Sequence, residues 1–220
     1  MFYEIGDGSG HKTAGFKHSP FNALVAPRPI GWISTLGADG IANLSPYSFF
    51  NAVSSHPPIV MFCANGQHME GGEKDSLKNV RDTGEFVCNL CTEELAQQMS
   101  DSSTHAPRGV DEFEVAGLTK AQSRVVKAPR VAESPVHLEC QVMQIVELPT
   151  VGRGGSNNIV IGKVVAVHIR DDLIVDGRVD IARARPVGRL GYFDYCVVSE
   201  TFEMLRPTWP LNAGTKTAAG

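Results

Sequence analysis

The stretch 26-APRPIGWISTLGADGIANLSPYSFFNAVSSHPPIVMFC-63 decides how the rest of the chain is read. Within it Ile30, Trp32 and Ser34 alternate with Gly31, Ile33 and Thr35, so Pro29 to Leu36 is predicted as a strand apolar on both sides. Gly37-Ala38-Asp39-Gly40 follows as a turn, Asp-Gly supplying the positive φ that a tight hairpin needs. Ile41 to Leu44 is the returning strand. Pro57-Pro58 stops the next run, and Ile59 to Ala64 resumes as a buried strand.

Ser45, Tyr47, Ser48 and Asn51 sit among Phe49, Phe50 and Val53 in this stretch. Hydroxyls and carboxamides buried in apolar strands need hydrogen-bond partners, or each costs about 1–3 kcal/mol. Two readings satisfy them. Either the polar edge of a ligand takes up these groups, or Ser45, Ser48, Ser54 and Ser55 are turn residues bonded to their own backbone.

The 220 residues suffice for a single β-rich domain with a substantial core. A net charge of −4 leaves no basic stripe for a phosphate backbone, so nucleic acid is not an expected partner. No apolar run approaches the roughly 20 residues of a membrane span. The start MFYEIGDGSGHK lacks the basic-then-apolar order of a secretory signal, so the expected location is cytoplasmic and the five cysteines are expected to be reduced. Cys88 and Cys91 have redox-pair spacing. In a strand, however, residues three apart point to opposite faces, and no second CxxC completes a zinc site, so both are read as structural.

Residues 1–20 read as a glycine-rich arm, 21–207 as the one domain, and 208–220 as a tail without apolar period, expected to be disordered. Arg28, between Pro27 and Pro29, is either a solvated strand end or an anion-binding guanidinium. Asn65 to Glu73 is a loop, after which Asp75 and Ser76 are N-cap candidates for a helix through Leu77 and Val80 that stops at Gly84. That junction, with Lys74 beside it, is either an ordinary capped surface helix or a phosphate site. Glu85 to Leu90 is a strand. Thr92 caps a helix with Leu95 and Met99 on one face, and Asp111 starts another over Phe113 and Val115. From Val136 a long strand alternates Leu138, Cys140 and Val142 with His137, Glu139 and Gln141, and Ile145-Val146 breaks the phase as a bulge would. Gly152 to Asn158 is a hairpin-like link, Ile159 to Ile169 a strand, Asp176-Gly177 a turn, and Ile181 lies in a short strand. Arg183, Arg185 and Arg189 cluster ahead of Leu190. Strands joined by glycine-containing turns, with short helices between, predict a mainly β, antiparallel barrel.

Catalytic motifs are sparse. The chain has no GxSxG, HExxH or P-loop, and its histidines are dispersed, so any redox chemistry falls to a cofactor. The runs RPIGWIST, NLSPYSFFNAVSSHPP, KDSLKNVRDTGEFVCNL, VKAPRVAESPVHLEC and GRLGYFDY together resemble the flavin reductase-like proteins of the FMN-binding split-barrel fold, a group that includes flavoredoxin-type proteins. The likeness covers roughly Phe21 to Pro207. It implies FMN as cofactor, NADH or NADPH as reductant, and a homodimer serving a partner oxygenase or other electron acceptor. Carried over by position, it implies that Trp32, Ile33, Ser34 and Thr35 contact the flavin through their backbone, with Asn43 near the ring. Ser45, Ser48, Phe49 and Asn51 would line the ring or ribityl chain, and Lys74, Ser76 and Asn79 would lie near the phosphate. Gly191 and Tyr192 would close the site. The activity implied is NAD(P)H-dependent flavin reduction. A non-enzymatic FMN electron carrier and a flavin-free binding protein on the same barrel are the alternatives.

Overall fold

The computed structural model describes residues 1–150, 155–207 and 209. Two short helices, α1 (Gly10–Thr13) and α2 (Phe21–Leu24), precede strands β1 (Arg28–Pro29), β2 (Gly31–Leu36), β3 (Ala42–Tyr47), β4 (Phe50–Ser55) and β5 (Pro58–Gly66). Next come α3 (Asp75–Thr83), β6 (Glu85–Leu90), α4 (Ala96–Asp101), α5 (Glu112–Val115), β7 (Lys120–Ala121) and β8 (Arg130–Val131). The long strands β9 (Val136–Leu148) and β10 (Ser156–Ile169) lead to β11 (Ile174–Val175), β12 (Arg178–Val179), α6 (Ile181–Ala184), β13 (Val187–Arg189) and β14 (Tyr195–Val197).

Seven strands form one antiparallel sheet in the order β3-β2-β6-β9-β10-β5-β4. The two edge strands, β3 and β4, are consecutive in the chain and only Ser48 and Phe49 separate them. Three Cα steps reach about 11 Å, whereas a flat seven-stranded sheet is about 29 Å across. The sheet must therefore curl until its edges meet, and the result is a barrel. Gly31 permits this closure: a Cβ there would lie 2.5 Å from Cδ2 of Phe50, at the start of β4.

The alternation in β2 divides the core. Ile33 points into the barrel with Phe62, Phe86, Leu77 and Val160. Trp32 points outward to a second cluster with Leu44, Met99 and Phe113, under α4 and α5. Cys88 and Cys91 fall in different clusters, as opposite-facing strand positions require, and all five cysteines are free thiols.

Several local expectations change. Asn65 and Gly66 end β5 rather than open a loop. Ile181 begins a helix rather than a strand, because the Asp180 carboxylate caps the Arg183 N–H. The irregularity in β9 sits two residues earlier than Ile145: Gln144 and Val142 face Ile161 and Gly162, which leaves Met143 bulged. Ser156–Asn158 belong to β10 rather than to a link. The remainder of that link that falls in 151–154, and the tail from 208 apart from Trp209, lie outside the described residues. No helix among the described residues is long and apolar enough to cross a membrane.

Candidate functional site

In a strand, residues two apart share a face. Asn43, Ser45 and Tyr47 of β3 accordingly line one open cleft of about 480 Å³, facing Gln67, His68 and Lys74. The far wall comes from Ser103 to Ala106 and from Glu112.

Asn43 Nδ2 donates to Glu112 Oε2 at 2.8 Å, and the same oxygen accepts the Leu44 N–H at 3.0 Å. Glu112 is fixed by its position at the start of α5, where Asp111 Oδ1 accepts the Phe113 N–H at 3.0 Å. Burial pushes the Glu112 carboxyl up, against the lowering effect of the Leu44 N–H. The amide's other end is unspent: Asn43 Oδ1 is buried with no protein partner.

Lys74 is the N-cap of α3, in extended backbone, so the cap is not Asp75 or Ser76, and no side chain accepts from the helix's first N–H groups. Its ammonium lies 5.8 Å from the Tyr47 ring centroid, makes no ion pair among the described residues, and is lowered in pKa by burial. The Ser76 hydroxyl is hydrogen-bonded to the Tyr47 hydroxyl behind it. An uncapped helix start and a cation without an ion pair among the described residues thus share one cleft wall, a combination of positive charge that favours anions.

The two loops flanking Lys74 are clasped together. His68 Nδ1 accepts the Glu70 N–H at 3.1 Å, while Nε2 reaches the Ala106 carbonyl at 3.1 Å and the Asp75 carboxylate at 3.4 Å. Arg108 donates to the carbonyls of Gly71 and Glu73, each at 2.9 Å, and pairs with Asp75. The charge of Asp75 beside Lys74 is thereby balanced by Arg108.

The sequence-predicted residues separate into groups. Asn43, Ser45, Lys74 and Ser76 meet at the cleft. Ser48 and Tyr192 line a second cavity that shares Ser103 with the first, and Phe49 lies beside it with its ring centroid 5.7 Å from the Arg28 guanidinium. Trp32, Ile33, Ser34 and Thr35 are fully buried, and the backbone of Trp32 to Ser34 is paired with β3 on one side and β6 on the other. Trp32 Nε1 donates to Ser102 Oγ at 2.9 Å, Ser34 Oγ accepts from Asn89 at 3.1 Å, and Asn79 Nδ2 donates to Thr35 Oγ1 at 3.0 Å. These residues form the wall behind the site. Gly191 makes room for α2, since a Cβ there would lie 2.3 Å from Ala23 Cβ. Asn51 is exposed on β4, its Oδ1 accepting the Ala52 N–H at 2.9 Å.

Glu112 and Arg108 were not signalled by the sequence, because their role depends on where a polar loop folds back. The three arginines near Leu190 also part company: Arg183 pairs with Asp180, Arg185 with Glu93, and Arg189 faces the second cavity. Among the described residues no group of three or more His, Cys, Asp or Glu is placed to hold a metal ion.

Residues 24–185 match the family model described as flavin reductase like domain. An uncharacterized protein of Aquifex aeolicus is 39% identical over 169 residues, 76% of this chain and 83% of its own length. Nitrilotriacetate monooxygenase component B from Bacillus cereus superposes with a TM-score of 0.77 at 28% identity, covering 84% of this chain and 90% of that one. The 2-nitrobenzoate 2-nitroreductase NbaA of Pseudomonas fluorescens superposes with a TM-score of 0.75, also at 28% identity, over 88% of this chain and 92% of that one. With a family-model match over most of its length and a closed β-barrel of the split-barrel kind, this chain belongs to the flavin reductase-like family.

Proposed function

We propose that the protein is an FMN-binding oxidoreductase that takes reducing equivalents from NADH or NADPH and passes them through the flavin. The observation that carries this reading is the unpaired Lys74 ammonium beside the uncapped start of α3, in the same cleft as the orphaned Asn43 Oδ1. A phosphorylated flavin fits both ends, because its phosphate is a dianion and its ring carries an N–H donor. When bound, FMN supplies the hydride and electron chemistry. The chain's own groups bind and orient it: Lys74 and the helix N–H groups hold the anion, Asn43 accepts from the ring edge, and Ser45 lies between them.

The domain doing this is 21–207, with 1–20 as an arm. The working form is a two-fold homodimer in the cytoplasm. Val53, 53% exposed on the edge strand β4, and Phe193, 91% exposed after β13, are apolar surface that a second copy would cover. A monooxygenase component B among the structural relatives supports a partner oxygenase as electron acceptor.

The test is the absorbance spectrum of the purified protein, then calorimetric titration with FMN and FAD and anaerobic titration with each nicotinamide. Bound FMN that bleaches with NADH or NADPH is expected. A protein that takes up no flavin contradicts the reading, and one whose FMN neither nicotinamide reduces is an electron carrier instead.

A further inference from the structure

The second cavity, open to solvent and of about 360 Å³, lies where α2, the end of β13 and the connection from β3 to β4 meet. Two guanidinium groups line it, Arg28 and Arg189, and neither forms an ion pair among the described residues. Arg28 is only 7% exposed. Its terminal nitrogens donate to the carbonyls of Asn22, Val25 and Leu190, the last at 2.7 Å, which fixes the group without neutralising it. Nε, the one guanidinium nitrogen that none of these bonds uses, is buried with no partner.

Arg189 is held by fewer contacts. Its guanidinium lies 4.4 Å from the Tyr195 ring centroid and donates to the Tyr192 carbonyl. Tyr192 itself has φ of +54°, a conformation that L side chains avoid and that marks strained functional loops. Burial lowers the Arg28 pKa, and the like charge of Arg189 adds to that lowering. Two cations placed together, one out of water and with no acid between them, call for an anion from outside the chain.

Charge and size identify its class. A pair of positive groups matches a dianion, and the cavity is larger than a small carboxylate needs. Ile30, Met99 and the two tyrosines offer surface for sugar and ring. Ser103 is shared with the Lys74 cleft, so an occupant here lies next to the flavin site. We propose that this cavity binds the diphosphate of the reducing dinucleotide, with Arg28 and Arg189 as its anion-binding pair. The assignment of the dinucleotide rests on the flavin reading above.

The experiment is calorimetric titration with inorganic pyrophosphate, and with benzoate as a monocarboxylate probe, in the presence of saturating FMN. It is run on the wild type, Arg189→Gln and Arg189→Lys beside steady-state oxidation of NADH and NADPH. Pyrophosphate is expected to bind the wild type and to lose tenfold or more in Arg189→Gln, with a smaller loss in Arg189→Lys. KM for the dinucleotide should rise by the same order while the FMN affinity stays within twofold. Pyrophosphate that fails to bind, that binds all three proteins alike, or that binds more weakly than benzoate overturns the proposal. So does an FMN affinity that falls in parallel, since the cavity would then hold the flavin's own phosphate. If the protein takes up no FMN, the flavin reading fails, and the same titrations in a Lys74→Gln background still read the cavity alone.

Discussion

Asn43 and Glu112, 69 residues apart in sequence, are joined by a buried 2.8 Å hydrogen bond that turns the amide so that Oδ1 has no protein partner. The bond ties the barrel edge to the loop that covers it. The carboxylate is the acceptor for two donors, so its removal and its neutralisation have different consequences.

Glu112→Ala leaves the Asn43 Nδ2 and Leu44 N–H groups without an acceptor and is expected to cost about 1–3 kcal/mol. Glu112→Gln keeps a carbonyl oxygen for them. Because the folded carboxyl is raised by burial, its contribution is present below the ordinary carboxylate range and lost as pH rises through the folded pKa. Urea unfolding at pH 4 and pH 8 should show Glu112→Gln gaining on the wild type at the higher pH, and a constant difference would contradict this.

Gly31 and Phe50 close the barrel, and Gly31→Ala places a methyl group 2.5 Å from the Phe50 ring. A loss of about 1–3 kcal/mol is expected from overpacking. Phe50→Leu in the Gly31→Ala background should recover part of it. A double-mutant cycle with no coupling between the two sites would show that closure is set elsewhere.

Acid should loosen the outer face of β9. Glu139 is fully buried and accepts the N–H groups of Arg124, Val125 and Val126 at 2.8, 2.7 and 3.0 Å, as well as His168 Nε2 at 2.5 Å. Burial pushes its carboxyl up, but these donors outweigh it and bring it to about 2, from an ordinary 4.5. Its contribution is present above 4.5 and lost as pH falls toward 2. His137, whose Nε2 bonds the Val131 carbonyl at 2.8 Å, is lowered by burial to about 4. A histidine kept neutral in the fold loses stability as pH drops from 6.5 to 4, since the unfolded chain takes up the proton first. Urea unfolding from pH 7 to pH 4 should therefore fall less steeply for His137→Phe than for the wild type. Identical slopes would remove His137 from the account.

These buried groups also mark where the sequence stopped being legible. Strand β6, the Asp39-Gly40 and Asp176-Gly177 turns, and the end of α3 at Gly84 follow from local rules about alternation and positive φ, and all four stand in the structure. His137 and Glu139 read as the polar half of an alternating strand, yet both are buried, Glu139 beneath the loop whose N–H groups it receives. The candidate site divides along the same line. Ser45 and Lys74 are singled out by a polar break in an apolar run and by a helix start, Asn43 by the family resemblance, and all three line one cleft. Glu112, His68 and Arg108 are not singled out, because their roles rest on partners distant in sequence: Asn43 and Leu44 for Glu112, Ala106 for His68, and Asp75 for Arg108. Ile181 reads as strand in the sequence because a four-residue helix has too little periodicity to announce itself, and the Asp180 cap shows only in the fold.

The most direct measurement compares FMN with riboflavin on the wild type and Lys74→Glu. The substitution removes the cleft's unpaired cation and adds a repulsion, so FMN should weaken about tenfold or more, at least about 1.4 kcal/mol, while riboflavin, which lacks the phosphate, stays nearly unchanged. General damage to the fold would weaken both ligands alike. If the two affinities fall together, or neither moves, Lys74 does not hold a flavin phosphate and the central claim fails.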